Sequence, residues 1–391
     1  MVANAQMSLD TFSFTTAGSV HFGWGSRKTL AQHVLSYGRH ALLLHSKSVS
    51  VINEIIADIE SNNITLEKEI LSGEPTDEEI GELAEKYHAA GFDVIIAIGG
   101  GSVLDSGKAL SALLTNPGEL MDYLEVVGKG QPLQNRPCPL IALPTTSGTG
   151  TEVTKNAVIK VVDKKVKVSM RNPAMIPAVA IIDPELTVSV PAAVTASTGM
   201  DAFIQVLEPF CSRSANRMVD LFCREGIPLA ARNLPVAYHQ PENKEARTMM
   251  AWVSLLGGLS LANAKLGAVH GFAGPIGGMF DIPHGVICAC LLPQVFRMNL
   301  TKVQDQDDHA LLERFSRIAA WVMNEDHQDV KQAIEWFNGL NEELEIPKLK
   351  QLGIKEKDHE AIIRKALVSS SMKGNPVSLD ANDLREILLN S

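Results

Sequence analysis

A chain of 391 residues is too long for one ordinary core and implies two domains of roughly 150 to 200 residues each. With 45% hydrophobic and 20% charged residues and a mean hydropathy of +0.06, the composition excludes disordered and fibrous classes. The net charge of −10 is spread along the chain with no basic block, which excludes a broad electrostatic grip on nucleic acid and points to a small ligand.

The start, MVANAQMSLDTFSF, lacks a basic region followed by an apolar run, so no secretory signal is read there and a cytoplasmic location is expected. Five cysteines, odd in number and without a CxxC pair, argue against a disulfide framework or a thiolate zinc site. The run FSFTTAGSVHFGWGS alternates like an edge strand. It either closes its own sheet or pairs with its copy in a second subunit, and His21 within it reads as structural. HALLLHS, FDVIIAIGG and CPLIALPTT are apolar runs bounded by Gly or Pro and predict strands. Between them, VSVINEIIADIESN and TDEEIGELAEKYHAAG carry apolar residues at helical spacing, the second opening on Thr76 as N-cap. Strand alternating with helix implies a parallel sheet covered by helices. Beyond DPELTVSVP the rhythm turns helical. The chain therefore divides into an α/β domain, 1–187, and an all-α domain, 188–391. The most apolar region, AWVSLLGGLSLANAKLGAVHGFAGPIGGMF, is broken by Lys265, His270, Pro275 and several glycines, and predicts a buried helix pair rather than a membrane span.

In GFDVIIAIGGGSVLDSGKAL, Gly99, Gly100, Gly101 and Ser102 stand between a buried strand and a helix. Glycine there lets a ligand approach the backbone, and the free N–H groups of a helix start attract an anion, so a pyrophosphate site is predicted. Asp105 reads as a carboxylate satisfying first-turn N–H groups. A second loop, PTTSGTGTEVT, offers the hydroxyls of Thr145, Thr146, Ser147, Thr149 and Thr151 after a strand and suits a nicotinamide, ribose or phosphate.

In TGMDAFIQVLE, Asp201 and Gln205 lie one helical turn apart on one face. His270 and His284 are separated by Gly and Pro residues and are expected on two segments folded back toward each other. Four such side chains are able to surround a cation. The spacing alone leaves open a plainer account: a helix carboxylate, a surface amide and two ordinary histidines.

Taken together, GGGSVLDSGKAL, PTTSGTGTEVT, IIDPEL, GMDAFIQVLE, VHGFAGPIGGMFDIPHGV and the closing MKGNPVSLDANDLREIL resemble the iron-containing, group III alcohol dehydrogenase family, nearly end to end. The resemblance implies a dehydroquinate-synthase-like architecture: a dinucleotide-binding α/β domain, a helical domain and a cleft between them. It further implies that Gly99 to Ser102 hold the pyrophosphate, that Thr145, Thr146, Ser147 and Thr149 lie along the nicotinamide half, and that Lys167 contacts the cofactor. The implied metal ligands are Asp201, His270 and His284 with a fourth at Gln205, the ion being iron, or else zinc or nickel, and the assembly a homodimer.

Three positions depart from the family pattern. Gln205 replaces a histidine, and an amide oxygen is the weaker ligand for borderline divalent ions, so affinity falls and an empty site becomes plausible. Gly274 stands where a histidine is common, which removes the usual proton relay. Ser46, beside Lys47, replaces an aspartate that repels a 2′-phosphate, which admits NADP, whereas Glu74 adds negative charge and pushes toward NAD.

The leading expectation is an NAD(P)-dependent alcohol dehydrogenase or aldehyde reductase in which Asp201, His270 and His284 are catalytic through the ion they hold. A metal-independent reductase of the maleylacetate reductase type and a catalytically silent dinucleotide-binding protein are the alternatives.

Overall fold

The computed structural model describes residues 11–325 and 329–391. The first ten residues, on which the expectation of no secretory signal mainly rests, lie outside them. The first half contains β1 (Ser19–Phe22), α1 (Leu30–Leu35), β2 (His40–Ser46), α2 (Ile52–Ser61), β3 (Thr65–Leu71), α3 (Asp77–Tyr87), β4 (Val94–Gly99), α4 (Gly101–Leu113), the single turn α5 (Leu120–Tyr123) and β5 (Leu140–Pro144). The hairpin β6 (Asn156–Val161) and β7 (Val166–Arg171) follows, and then β8 (Val179–Ile182). Six strands form one sheet in the order β1-β8-β5-β4-β2-β3, every pairing parallel.

The central strands are buried on both faces, which is why they read as unbroken apolar runs. Leu43, Ile96 and Ile141 point to one face against Leu30, Val34 and Ile59 of α1 and α2. Leu42, Ile95 and Leu140 point to the other, against Leu83, Leu104 and Leu110 of α3 and α4. The Thr76 side chain accepts a hydrogen bond from the Glu79 N–H at 3.1 Å, as the predicted N-cap of α3.

β1 pairs with β8 and so closes this chain's own sheet; among the described residues no strand pairs with its outer side. His21 within it packs against His33 at 4.3 Å between ring centroids. The end of β8 carries the IIDPEL motif, whose Asp183 carboxylate accepts from the Gly25 N–H (3.0 Å), the Arg27 N–H (3.2 Å), the Glu185 N–H (3.1 Å) and the Arg27 guanidinium (2.9 Å). Asp183 thus ties the segment after β1 to the end of β8.

The rest of the chain is helical: α6 (Ala192–Cys211), α7 (Arg217–His239), α8 (Lys244–Asn263), α9 (Ala268–Met279), α10 (His284–Asp305), α11 (His309–Met323), α12 (Gln332–Glu343), α13 (Glu356–Leu367) and α14 (Ala381–Asn390). Asn216, Asn243 and Asp308 cap α7, α8 and α11 with their side chains. The predicted buried helix pair is α8 and α9, which meet at 95°. By length and composition alone α10 is long and apolar enough to cross a membrane, but most of it is buried in the helical core with Phe203, Phe272 and Phe315. All five cysteines are unpaired and buried.

Candidate active site

On the nucleotide side, β2 is the point where strand order reverses, with β3 on one flank and β4, β5 and β8 running away on the other. Ligands of open parallel sheets bind outside the carboxyl ends of the strands at such a point. Ser46 ends β2, Gly99 ends β4 and Pro144 ends β5, so the predicted serine, glycine and threonine positions converge at one edge. Gly100 precedes the first turn of α4 without any side-chain cap, and the amides that open the helix keep their donors for an anion. A methyl group on Gly101 would stand 2.6 Å from the Thr149 hydroxyl, and one on Gly100 3.5 Å from that of Thr146. The two loops therefore form a single surface. Ser147 presents a buried hydroxyl with no partner, in a small gap between the domains lined also by Thr146, Glu152, Asp183 and Ser254. Free helix-start donors and an orphaned hydroxyl fit a dinucleotide. The Ser46 hydroxyl pairs with that of Ser48 at 2.8 Å.

Asp105 does not serve the helix start, contrary to the sequence expectation. Its side chain turns inward, where it accepts from the Thr151 hydroxyl (2.5 Å) and the Val158 N–H (3.0 Å) and lies 3.8 Å from Lys108. Lys108 is fully buried, donates to Thr151, Thr154 and the Asn156 carbonyl, and is pushed down to about 8, chiefly by desolvation. This network bolts the threonine loop to the helix behind the glycine loop. Glu152, just beneath, is pushed up to about 7 by burial. An acid with a raised folded-state pKa costs nothing below its unfolded value and destabilises increasingly as pH climbs toward the folded one. Glu152→Gln is therefore expected to leave thermal stability unchanged near pH 4 and to raise it at pH 8, by about 1 to 3 kcal/mol. Equal melting shifts at both pH values would show that the carboxylate is not penalised.

On the helical side, Asp201 and Gln205 sit in α6, His270 in α9, and His284 opens α10. The predicted fold-back of the two histidines is observed, with ring centroids 5.5 Å apart. Close helix packing makes the site compact: a Cβ on Gly285 would come within 1.9 Å of the Ser197 carbonyl, so α10 touches α6 at His284. His270 Nε2 lies 3.1 Å and His284 Nε2 3.9 Å from Asp201 Oδ1. His270 Nδ1 faces Glu208 Oε2 at 2.7 Å, and the other oxygen of Glu208 accepts from the Val269 N–H at 2.8 Å.

Burial pulls the His270 pKa down, but Asp201 and Glu208 outweigh it and push it up to about 9. Burial favours protonation of Asp201, yet the histidines and the Gln205 amide hold its pKa below the usual value. The imidazole of His284 keeps a solvent-facing edge, while the enclosure of the rest pushes its pKa down against the pull of Asp201. Cys288, one turn beyond His284, brings its sulfur into the same group. One ligand atom each from Asp201, His270, His284 and Cys288 lie within 4.8 Å of one another. A carboxylate, two imidazoles and a thiol around one point fit a divalent cation.

Lys167 stands at the boundary between these two halves. Its ammonium pairs with Glu74 at 2.5 Å, and a Cβ added to Gly277 of α9 would stand 3.0 Å from it. The negative charge of Glu74 is therefore matched by Lys167. At Gly274 an added Cβ would meet nothing within 4 Å.

A parallel sheet with a glycine-rich loop at its switch point, facing helices that carry a cluster of potential metal ligands, is the class of arrangement used by nucleotide-dependent enzymes with a metal-binding centre. Residues 17–184 match the iron-containing alcohol dehydrogenase family, and residues 195–391 match the Fe-containing alcohol dehydrogenase family, C-terminal. The chain belongs to the iron-containing alcohol dehydrogenase family. It is 34% identical over 387 residues to 1,3-propanediol dehydrogenase of Klebsiella pneumoniae, covering 95% of this chain and 96% of that one. It is 31% identical to 4-hydroxybutyrate dehydrogenase of Cupriavidus necator, over 94% of this chain and 97% of the relative. The structure of an alcohol dehydrogenase from Oenococcus oeni superimposes with a TM-score of 0.89 at 29% identity, covering 97% of this chain and 99% of that one. The protein is thus an enzyme that transfers hydride between NAD(P) and an alcohol or aldehyde.

Two side chains of this site escaped the reading of the sequence. Glu208 lies seven residues after Asp201 and Cys288 four after His284, both on the faces that carry the ligands. Helical spacing extended two turns from Asp201 and one turn from His284 would have found them.

Proposed function

We propose that the enzyme interconverts a small alcohol and its aldehyde with the assistance of a divalent ion held by Asp201, His270 and His284, the fourth position falling to Gln205 or to the neighbouring thiol. The observation that carries this reading is the convergence of the four ligand atoms within 4.8 Å of one another. When bound, the ion supplies Lewis-acid polarisation of a substrate oxygen and the nicotinamide supplies or accepts the hydride. The chain's own contribution is alignment. Gly99 to Ser102 and Thr145 to Thr149 fix the nucleotide against the sheet edge, Ser147 offers a donor in the gap between the domains, and Lys167 bridges the nucleotide domain to α9.

With an ion bound, Glu208 would hold the His270 proton on Nδ1 and leave Nε2 as the ligand atom. With glycine at 274, no side chain carries a proton from that position, and the open space beside it is reached by water or by a bulkier substrate. The names of the propanediol and hydroxybutyrate relatives support a short substrate with a second polar end. Elemental analysis of protein purified without chelator tests this reading: about one divalent ion per chain supports it, and none contradicts it.

NADP is accepted as well as NAD in this reading, because no carboxylate stands at Ser46 and Glu74 is paired with Lys167. Ser46→Asp is expected to weaken NADP binding by about tenfold or more, roughly 1.4 kcal/mol, while sparing NAD. Fluorescence titration of the reduced cofactors checks it, and an equal loss for both would place the ribose elsewhere. The outer side of β1, to which no strand pairs among the described residues, supports pairing with a second copy, and the unpaired thiols support a reducing cytoplasm.

A further inference from the structure

We propose that Cys288, rather than Gln205, is the fourth protein ligand, so that the centre is an Asp-His-His-Cys site suited to zinc or cobalt; this rests on the metal-assisted reading above. Cys288 and His284 occupy successive turns of α10 and face α6 and α9 together. The Cys288 sulfur lies within 4.8 Å of the Asp201 oxygen and both imidazole nitrogens, all on buried or half-buried residues. Four ligand atoms around an ion at about 2.0 to 2.3 Å are separated by roughly 3.3 to 3.8 Å, so closing the cluster takes about an ångström of side-chain movement.

Gln205 is placed differently. Its amide group is one of the hydrogen-bond partners of Asp201, and its oxygen, without a partner, lies near Gly257 of α8. Gln205 in this pose serves the carboxylate as a donor, and turning its oxygen toward Asp201 would set two acceptors against each other.

Chemistry favours the same choice. A thiolate is a far better ligand than a neutral amide for zinc and cobalt, and it shifts selectivity away from hard, oxygen-preferring ions. Binding replaces the S–H bond of Cys288 by a metal–sulfur bond and releases one proton to solvent, with no change in oxidation state. The lack of a CxxC pair therefore does not exclude a thiolate site here, because the other ligands come from three helices.

The test is spectroscopic. The full-length apoprotein is titrated with cobalt(II), with the visible and near-ultraviolet spectra recorded at each addition. The expected result is one equivalent bound, with the visible bands of a four-coordinate ion and a sulfur-to-cobalt charge-transfer band. That band should vanish in Cys288→Ser and in Cys288→Ala and persist in Gln205→Ala. Zinc affinity should fall by at least about 10 to 100-fold in the two cysteine variants. Cobalt bound by the wild-type protein without the charge-transfer band would overturn the assignment of Cys288 while leaving the metal site intact. Failure of the wild-type protein to bind cobalt would overturn the metal-assisted reading itself.

Discussion

Asp201→Ala is expected to lower turnover of the alcohol by about a thousandfold or more, roughly 4 kcal/mol of lost transition-state stabilisation, and to abolish retention of the ion. Asp201 is buried, faces both histidines and is the only carboxylate in the candidate ligand cluster. Without it, His270 keeps its contact with Glu208 but has no anionic neighbour on Nε2. The nucleotide loops lie in the other domain, so cofactor binding should stay within about threefold of wild type. Steady-state assays with metal analysis and cofactor titration separate these effects. Retained turnover with the fold intact would refute the role of the cluster.

Asp183→Ala is expected to destabilise the protein by about 3 to 5 kcal/mol with little direct effect on the chemistry. The carboxylate is fully enclosed and receives three backbone N–H groups and the Arg27 guanidinium. Its removal leaves a largely buried cation whose remaining carboxylate partner, Glu185, is partly solvent-exposed, and frees three donors at the junction of β1 and β8. Denaturant unfolding measures the loss. A change below about 1 kcal/mol would show that solvent replaces these bonds and that IIDPEL is not the anchor described above.

Much of this was legible in the sequence where the physics is local. HALLLHS and FDVIIAIGG announced buried parallel strands because both their faces are covered, and Thr76 announced a helix start through its acidic first turn. TLEKEIL did not read as a strand, because β3 lies at the sheet edge with Glu67, Lys68 and Glu69 in its middle. The β6–β7 hairpin also escaped, its apolar residues alternating with lysines and polar groups. Asp105 was misplaced because its partners, Thr151 and Val158, are 46 and 53 residues away and only the tertiary fold brings them together. Of the cluster, Asp201, His270 and His284 stood out by residue type and by the family motif. Cys288 and Glu208 were hidden by the ordinary look of a cysteine and a glutamate inside apolar helices.

The most direct test of the account is to assay the reduction of a short aldehyde by NADH or NADPH with protein stripped of metal by a chelator, and again after adding back zinc, cobalt or ferrous ion. The account predicts negligible turnover in the stripped enzyme, with unaltered cofactor binding, and recovery on addition of about one equivalent of ion. Full activity in verified metal-free protein would contradict it and assign the chemistry to ordered protein donors alone.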